Sequence, residues 1–218
     1  MTMLDVDMTI AFIGCGKVGA PLADHLRRAG HRVLLAARDA SAESVRALLQ
    51  RNPALRAVPP EEAVAAAEVV FLATPYAAND TVIPPLAGAL AGKVLVDCTN
   101  PVGPGLSHGL QSTQSGSMRL QALAPGARVV KAFTIYGYEN LEDNRFPDAN
   151  VKPAMLFCGE DEDAKRVVGQ LIAELGWEPL DVGGIDQALH LEHMTLLWIR
   201  LVRARGRSPH LVWAALRK

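Results

Sequence analysis

The stretch Thr9–Asp39, "TIAFIGCGKVGAPLADHLRRAGHRVLLAARD", decides the fold. It opens on an apolar run, Thr9 to Ile13, and then meets glycines at positions 14, 16 and 19. A helix-like segment, Lys17 to Ala29, follows with Val18, Leu22, Leu26 and Ala29 on one face, and Gly30 suits its end. A second strand-like run, Arg32 to Ala36, completes the unit. The glycines fit G-x-G-x-x-G, a weak pattern alone that becomes informative between a strand and a helix. There Gly14 permits a tight turn, Gly16 lets a pyrophosphate approach the backbone, and Gly19 lets helix and strand pack closely. Free N–H groups at the helix start then face the anion. The second strand ends in "LAARD". An acid there would accept hydrogen bonds from an adenosine ribose, whereas the guanidinium of Arg38 can pair with a 2′-phosphate and stack on adenine. The reading favours NADP(H) over NAD(H). Asp39 next door argues the other way, and a solvated loop charge is the alternative for Arg38.

Outward from this unit, strand-like and helix-like runs alternate. Ser41 is placed to cap a helix carrying Val45, Leu48 and Leu49. Glu61 to Ala67 is a short helix, and "EVVFLAT" (Glu68–Thr74) a buried strand before Pro75. Ala78 to Ala91 is helical, with Pro84 and Pro85 interrupting it. "KVLVDCTNP" (Lys93–Pro101) is a strand running into a turn. A Gly- and Ser-rich loop reaches Ser117, a short helix spans Met118 to Leu123, and "PGARVVKAF" is a strand before the irregular "TIYGYENLEDNRFPDANV". "PAMLFCG" is a strand; Ala164, Val167, Val168, Leu171, Ile172 and Leu175 then form one helical stripe ended by Gly176. Trp177 to Leu180 is a last strand. A long helix over Ile185–Arg203 and a short one after Pro209 finish the chain. The alternation predicts an α/β fold, a Rossmann-type doubly wound, mostly parallel sheet with a short C-terminal helical extension. The expected division is 1–182 for the dinucleotide-binding domain and 183–218 for the C-terminal helices.

The 218 residues are half hydrophobic and carry a formal charge of −1, which gives no strong pull toward nucleic acid or acidic membrane. Cys15, Cys98 and Cys158 follow no metal-ligand spacing and suit reduced thiols in a cytoplasm. The acidic start "MTMLDVDM" is unlike a signal peptide, and the apolar run Met194–Val202 is too short to span a bilayer. The expectation is a cytoplasmic protein with a small-molecule partner, without membrane or nucleic acid.

Ligands of open parallel sheets bind beyond the carboxyl ends of the strands. Three such ends carry polar groups: Thr74 and Pro75, Asn100 and Pro101, and "KAFTIYG" (Lys131–Gly137). Thr74 and Asn100 could contact a ribose or carboxamide, or could cap turns.

"FIGCGKVGAPLADHLRRAGHRVLLAARD", "VVFLATPY", "VLVDCTNP" and "VVKAF", in this order and spacing, resemble the deazaflavin-dependent NADP oxidoreductases and the similar cytoplasmic domains of membrane metalloreductases. The resemblance runs from Thr9 to the C-terminus. It implies hydride exchange between NADP(H) and a deazaflavin coenzyme or a flavin. It places Gly14, Cys15, Gly16, Lys17, Val18 and Gly19 on the pyrophosphate, Ala37 and Arg38 at the 2′-phosphate, and Thr74, Pro75, Asn100 and Pro101 along the nicotinamide. Thr134, Ile135 and Tyr136 fall on the acceptor side. Many relatives carry Asn where this chain has Thr134.

A carbonyl reductase needs a positioned proton donor. The absence of an obvious acid–base pair favours ring-to-ring transfer, in which proximity and exclusion of water do most of the work. A redox sensor without turnover, and a small imine or carbonyl reductase using Tyr136 or Lys131, are the alternatives. His190 and His193 suit packing better than a metal site, and His108 reads as a solvated loop residue. The last long helix is apolar on most sides around Leu196–Val202, which predicts a homodimer built partly on it.

Overall fold

The computed structural model describes residues 7–147 and 149–218; the N-terminal "MTMLDV" lies outside the described residues. The strands are β1 (Thr9–Ile13), β2 (Arg32–Ala36), β3 (Arg56–Val58), β4 (Val69–Leu72), β5 (Val94–Asp97), β6 (Val102–Gly103), β7 (Ser107–His108), β8 (Arg128–Lys131), β9 (Ala154–Gly159) and β10 (Glu178–Asp181). Eight of them form one sheet in the order β10-β9-β8-β5-β4-β1-β2-β3. The six from β3 to β8 are parallel, β8 pairs with β9 antiparallel, and β9 with β10 parallel. β6 and β7 make a separate hairpin.

The helices are α1 (Gly19–Arg28), α2 (Glu43–Arg51), α3 (Pro60–Ala66), α4 (Asn79–Val82), α5 (Ala87–Leu90), α6 (Gly116–Leu123), α7 (Tyr138–Glu142), α8 (Glu162–Glu174) and α9 (Ala188–Ile199), the last running on into a π-helical turn, Arg200–Ala204. They cover both faces of the sheet. Ile10, Phe12 and Phe71 pack on one side with Leu22 and Leu26 of α1. Ala11, Ile13, Val70 and Leu72 pack on the other with Val64 of α3 and Ile83. Burial on both faces is why the central strands are continuous apolar runs rather than alternating ones.

The fold is the Rossmann-type doubly wound sheet that the sequence predicts. Its local details differ in several places. Ser41 does not cap α2: Ala42 holds that position, and the Ser41 backbone N–H and hydroxyl both donate to Asp39 Oδ1, at 2.8 and 2.6 Å. The strand β3 and the hairpin β6–β7 are too short to carry a periodic signal. The helix α7 begins inside the stretch read as irregular. As expected, Pro84 and Pro85 divide the segment after β4, which becomes α4, a 3-10 turn and α5.

No helix forms after Pro209. Instead, the C-terminal segment lies extended against the body. The Trp198 indole donates to Leu211 O (2.7 Å), Asn140 Nδ2 to Pro209 O (2.7 Å), and the Ala154 N–H to Trp213 O (2.8 Å). This tail and the main core bury Trp198, Leu191 and Val202, so much of the apolar surface of α9 is covered by the chain itself. Among the described residues no helix is long and apolar enough to cross a membrane.

Candidate functional site

The turn between β1 and α1 is built by three different constraints. Gly14 has φ +103°, and a Cβ there would meet the Ala73 carbonyl at 2.7 Å. A Cβ on Gly19 would sit 2.1 Å from Gly14 O, so helix and turn touch without room for a side chain. Gly16 faces open space, with nothing within 4 Å of its would-be Cβ. The helix then starts at Val18 with no side-chain cap and no acid in its first turn, whereas α8 is capped by Asp161 and begins Glu162-Asp163. An uncapped helix start behind an open glycine is suited to an anion. Lys17 stands beside it, its Nζ 4.8 Å from the centre of the Tyr138 ring. Burial pushes the Cys15 thiol up to about 11, so the turn presents no thiolate.

A cleft of about 440 Å³ opens next to this turn, at the carboxyl ends of β1, β2 and β4. Gly14, Ala37, Arg38, Asp39, Thr74 and Pro85 are among its walls. Arg38 is exposed and makes no ion pair among the described residues. The acid beside it is differently placed. Asp39 Oδ1 is engaged by Ser41, whose hydrogen bonds hold the carboxyl below its ordinary range. Asp39 is thus committed to a turn, while the exposed Arg38 guanidinium beside it makes no ion pair among the described residues.

Farther along the strand ends the polar groups are tied to one another. Thr74 Oγ1 donates to Asn79 Oδ1 (3.3 Å), and Asn79 Nδ2 donates to Thr99 Oγ1 (3.2 Å). The Thr99 hydroxyl donates to Asp97 Oδ1 (2.7 Å). Asn100 Nδ2 reaches the Thr134 carbonyl at 3.4 Å, and Thr195 of α9 donates toward Asn100 Oδ1 and Thr134 O at 3.1 and 3.0 Å. The Pro101 carbonyl accepts from the Gly109 N–H at 2.6 Å, and Pro75 leads into a 3-10 turn. The structure therefore brings Thr74, Asn100 and Thr134 onto one polar edge.

Thr134 follows a strained residue. Phe133 has φ +58°, a left-handed conformation rare for a side-chain-bearing residue and costing roughly 1–2 kcal/mol. Its ring is fixed against Phe71, which stacks on Phe12. Beyond this bend the Thr134 hydroxyl is buried without a partner among the described residues. Ile135 and Tyr136 lie deeper. Ile135 is fully buried, and the Tyr136 hydroxyl donates to Ala154 O (2.6 Å) and accepts from the Trp213 N–H (3.0 Å).

Sequence reasoning missed the most heavily charged feature near this edge. Asp97 and Lys131 are register partners on β5 and β8, both fully buried, with Nζ 3.3 Å from Asp97 Oδ2. Glu192 of α9 joins them, 3.1 Å from the same Nζ and 2.7 Å from His108 Nε2. The Ser117 hydroxyl and the Gly116 N–H donate to Asp97 and Glu192 respectively. His108 is thus a buried, hydrogen-bonded residue and not a solvated one. His193, on the exposed side of α9, stacks on it. The available signal was a charge ending each of two apolar strands, in "VLVDC" and "RVVKAF".

The sheet order, the glycine turn and the cleft beside it define the class: a Rossmann-type α/β protein built to hold a dinucleotide at its strand ends. Residues 9–101 match the family described as NADP oxidoreductase coenzyme F420-dependent. The F420-dependent NADP reductase of Methanocaldococcus jannaschii is 30% identical over 208 residues, covering 89% of this chain and 92% of that protein. A crystal structure of an Arthrobacter sp. FB24 protein, proposed to be an F420-dependent NADP reductase, superposes with a TM-score of 0.82 at 30% identity, over 91% of this chain and 95% of that one. Metalloreductase STEAP3 of Rattus norvegicus is 32% identical over 188 residues, 86% of this chain but only 36% of that longer protein. The chain belongs to the F420-dependent NADP reductase family of NADP oxidoreductases.

Proposed function

We propose that this protein exchanges hydride between NADP(H) and a flavin-like acceptor, with a deazaflavin as the foremost candidate and a flavin as the second. The observation that carries the reaction type is the commitment of both candidate proton donors. The three protons of Lys131 face Asp97, Glu192 and the Thr99 carbonyl, and the Tyr136 hydroxyl is spent on the backbone of β9 and the tail. Neither suits an imine or carbonyl reductase, which must deliver a proton to its product. A ring-to-ring transfer requires no such group.

The residues present fit the dinucleotide. The Gly14–Gly19 turn and the uncapped start of α1 receive the pyrophosphate. Gly16 leaves the space that a phosphate occupies, and Lys17 supplies a nearby cation. Ala37 gives room for the ribose, and Arg38 takes the 2′-phosphate. Thr74 and Asn100, with Pro75 and Pro101 shaping the turns, orient the nicotinamide end. NADPH, when bound, supplies a hydride from its dihydronicotinamide ring. Of the acceptor-side residues, Thr134 offers its unpartnered hydroxyl, while Ile135 and Tyr136 hold the bend that presents it.

Anaerobic stopped-flow mixing with NADPH and either a deazaflavin or a flavin tests the proposal. Oxidation of NADPH matched by reduction of the acceptor is expected. Binding without transfer to either would overturn it in favour of a sensor. A homodimer remains part of the reading: Leu197 on α9 and Val102 on the adjacent hairpin are 49% and 42% exposed, an apolar surface suited to a second copy. Sedimentation as a monomer at micromolar concentration would remove it.

A further inference from the structure

The buried cluster under Thr74 and Asn100 has a net sign. Lys131 has its protons on Asp97 Oδ2 (3.3 Å), Glu192 Oε1 (3.1 Å) and Thr99 O (2.9 Å). Burial alone would lower its pKa, but the two carboxylates raise it and keep the ammonium charged. His108 is neutral by its hydrogen bonds. Its Nδ1 accepts the backbone N–H groups of Leu110 (3.3 Å) and Ser112 (3.2 Å), so that nitrogen carries no proton. The proton is on Nε2, which donates to Glu192 Oε2 at 2.7 Å. The adjacent Cys98 thiol is neutral as well, since burial raises its pKa far above the ordinary value. One ammonium and two carboxylates leave a single negative charge, sealed from solvent: Asp97 and Lys131 are 0% exposed and Glu192 is 1% exposed.

The polarity of this charge is passed to the cleft by forced hydrogen bonds. An ionised Asp97 can only accept, so Thr99 must give it its hydroxyl proton. The Thr99 oxygen can then only accept, so Asn79 must turn its NH₂ toward it. That orientation aims the Asn79 carbonyl at Thr74, which donates its own proton inward. Every proton in the chain points toward Asp97. Thr74, a wall of the cleft, is left with lone pairs on its outward side.

We infer that the Asp97–Lys131–Glu192–His108 cluster, relayed through Thr99, Asn79 and Thr74, makes the nicotinamide side of the cleft negative and favours the cationic, oxidised ring over the neutral, reduced one. The inference rests on the reading that NADP(H) lies along these strand ends. Thr74 then accepts a hydrogen bond from a donor of the ligand, such as an amide N–H or a ribose hydroxyl. Asp97, Glu192, Asn79 and Thr99 are positioning residues, since they act on the ligand through Thr74 and through the field. By linkage, tighter holding of the oxidised form makes the bound couple a better hydride donor than the free one.

The test is calorimetric titration of the intact protein with NADP⁺ and, anaerobically and without acceptor, with NADPH. The expected result is a Kd for NADPH about tenfold above that for NADP⁺, the order supplied by one partly screened charge near a protein surface. Thr99→Val keeps the charge but cuts the chain, and Glu192→Gln removes the charge; each should lower that ratio about threefold or more. Damage to packing alone would weaken both ligands together and leave the ratio where it was. A wild-type ratio of one or below overturns the inference with no variant needed, as does an unchanged ratio in a folded Thr99→Val protein. Uptake of neither dinucleotide would instead remove the reading of the site on which the inference stands.

Discussion

Two regions along the carboxyl edge of the sheet are built by opposite means. At the β1–α1 end the binding surface is backbone: an open glycine, a helix start without a cap, and side chains kept out of the way. At the β5–β8 end it is side chains already bonded to one another, through pairs 34 and 84 residues apart in sequence. The first end is left without a side-chain cap, an arrangement suited to an anion. The charged cluster of the second is saturated internally, with Thr74, Asn100 and Thr134 at its edge. On the proposed reading, the difference separates two tasks, holding a charged handle and orienting a ring.

The largest effect should come from closing the first end. Gly19→Ala places a methyl against Gly14 O and should cost more than about 100-fold in dinucleotide affinity by calorimetry, because the turn must open before the helix can pack. Gly16→Ala is the sharper companion: it meets nothing in the free protein, so thermal stability should hold while affinity drops. Breaking the second end should instead be felt in folding. Lys131→Ala leaves two buried carboxylates facing each other and should cost about 3–5 kcal/mol in urea unfolding.

A smaller effect is expected for Arg38→Ala, which should weaken NADPH by roughly 2 kcal/mol while leaving NADH unchanged, the signature of a lost charge-assisted pair. Away from both ends, Asp24 on α1 binds Asn52, Arg28 and Arg51 and ties that helix to α2. Burial would raise its pKa, but these partners hold it below the usual 3.8. A depressed carboxyl contributes stability above its unfolded pKa and loses it as pH falls through the folded value. Asp24→Asn should therefore cost about 2 kcal/mol near neutrality, and the gap to wild type should shrink in acid below the ordinary carboxylate range. The smallest change is Tyr136→Phe. It removes the bond to Ala154 O, should cost about 1 kcal/mol in stability, and should leave NADP(H) affinity unaltered.

These ends also differ in how far the chain announces them. The glycine spacing, the apolar run before it and the helical stripe after it lie within thirty or so residues, and each acts on its neighbours. Arg38 was visible for the same reason. Asp39 beside it was ambiguous until the Ser41 hydrogen bonds showed where its carboxylate goes. Lys131 is visible at its strand end, but its partners are not: Asp97 reaches it through sheet register and Glu192 through the docking of a helix 61 positions away. The loop composition around His108 suggests solvent, whereas α9 covers it and Glu192 claims its proton.

The sequence by itself determined the doubly wound sheet, the glycine turn and the position of the guanidinium, because periodicity, glycine spacing and strand ends are short-range properties. The tertiary structure alone decided which buried charges neutralise one another, which way the Thr74 chain is polarised, and that the tail covers α9 instead of forming a helix. Those outcomes depend on groups brought together only when the sheet is complete, where a charge removed from water must find its partners.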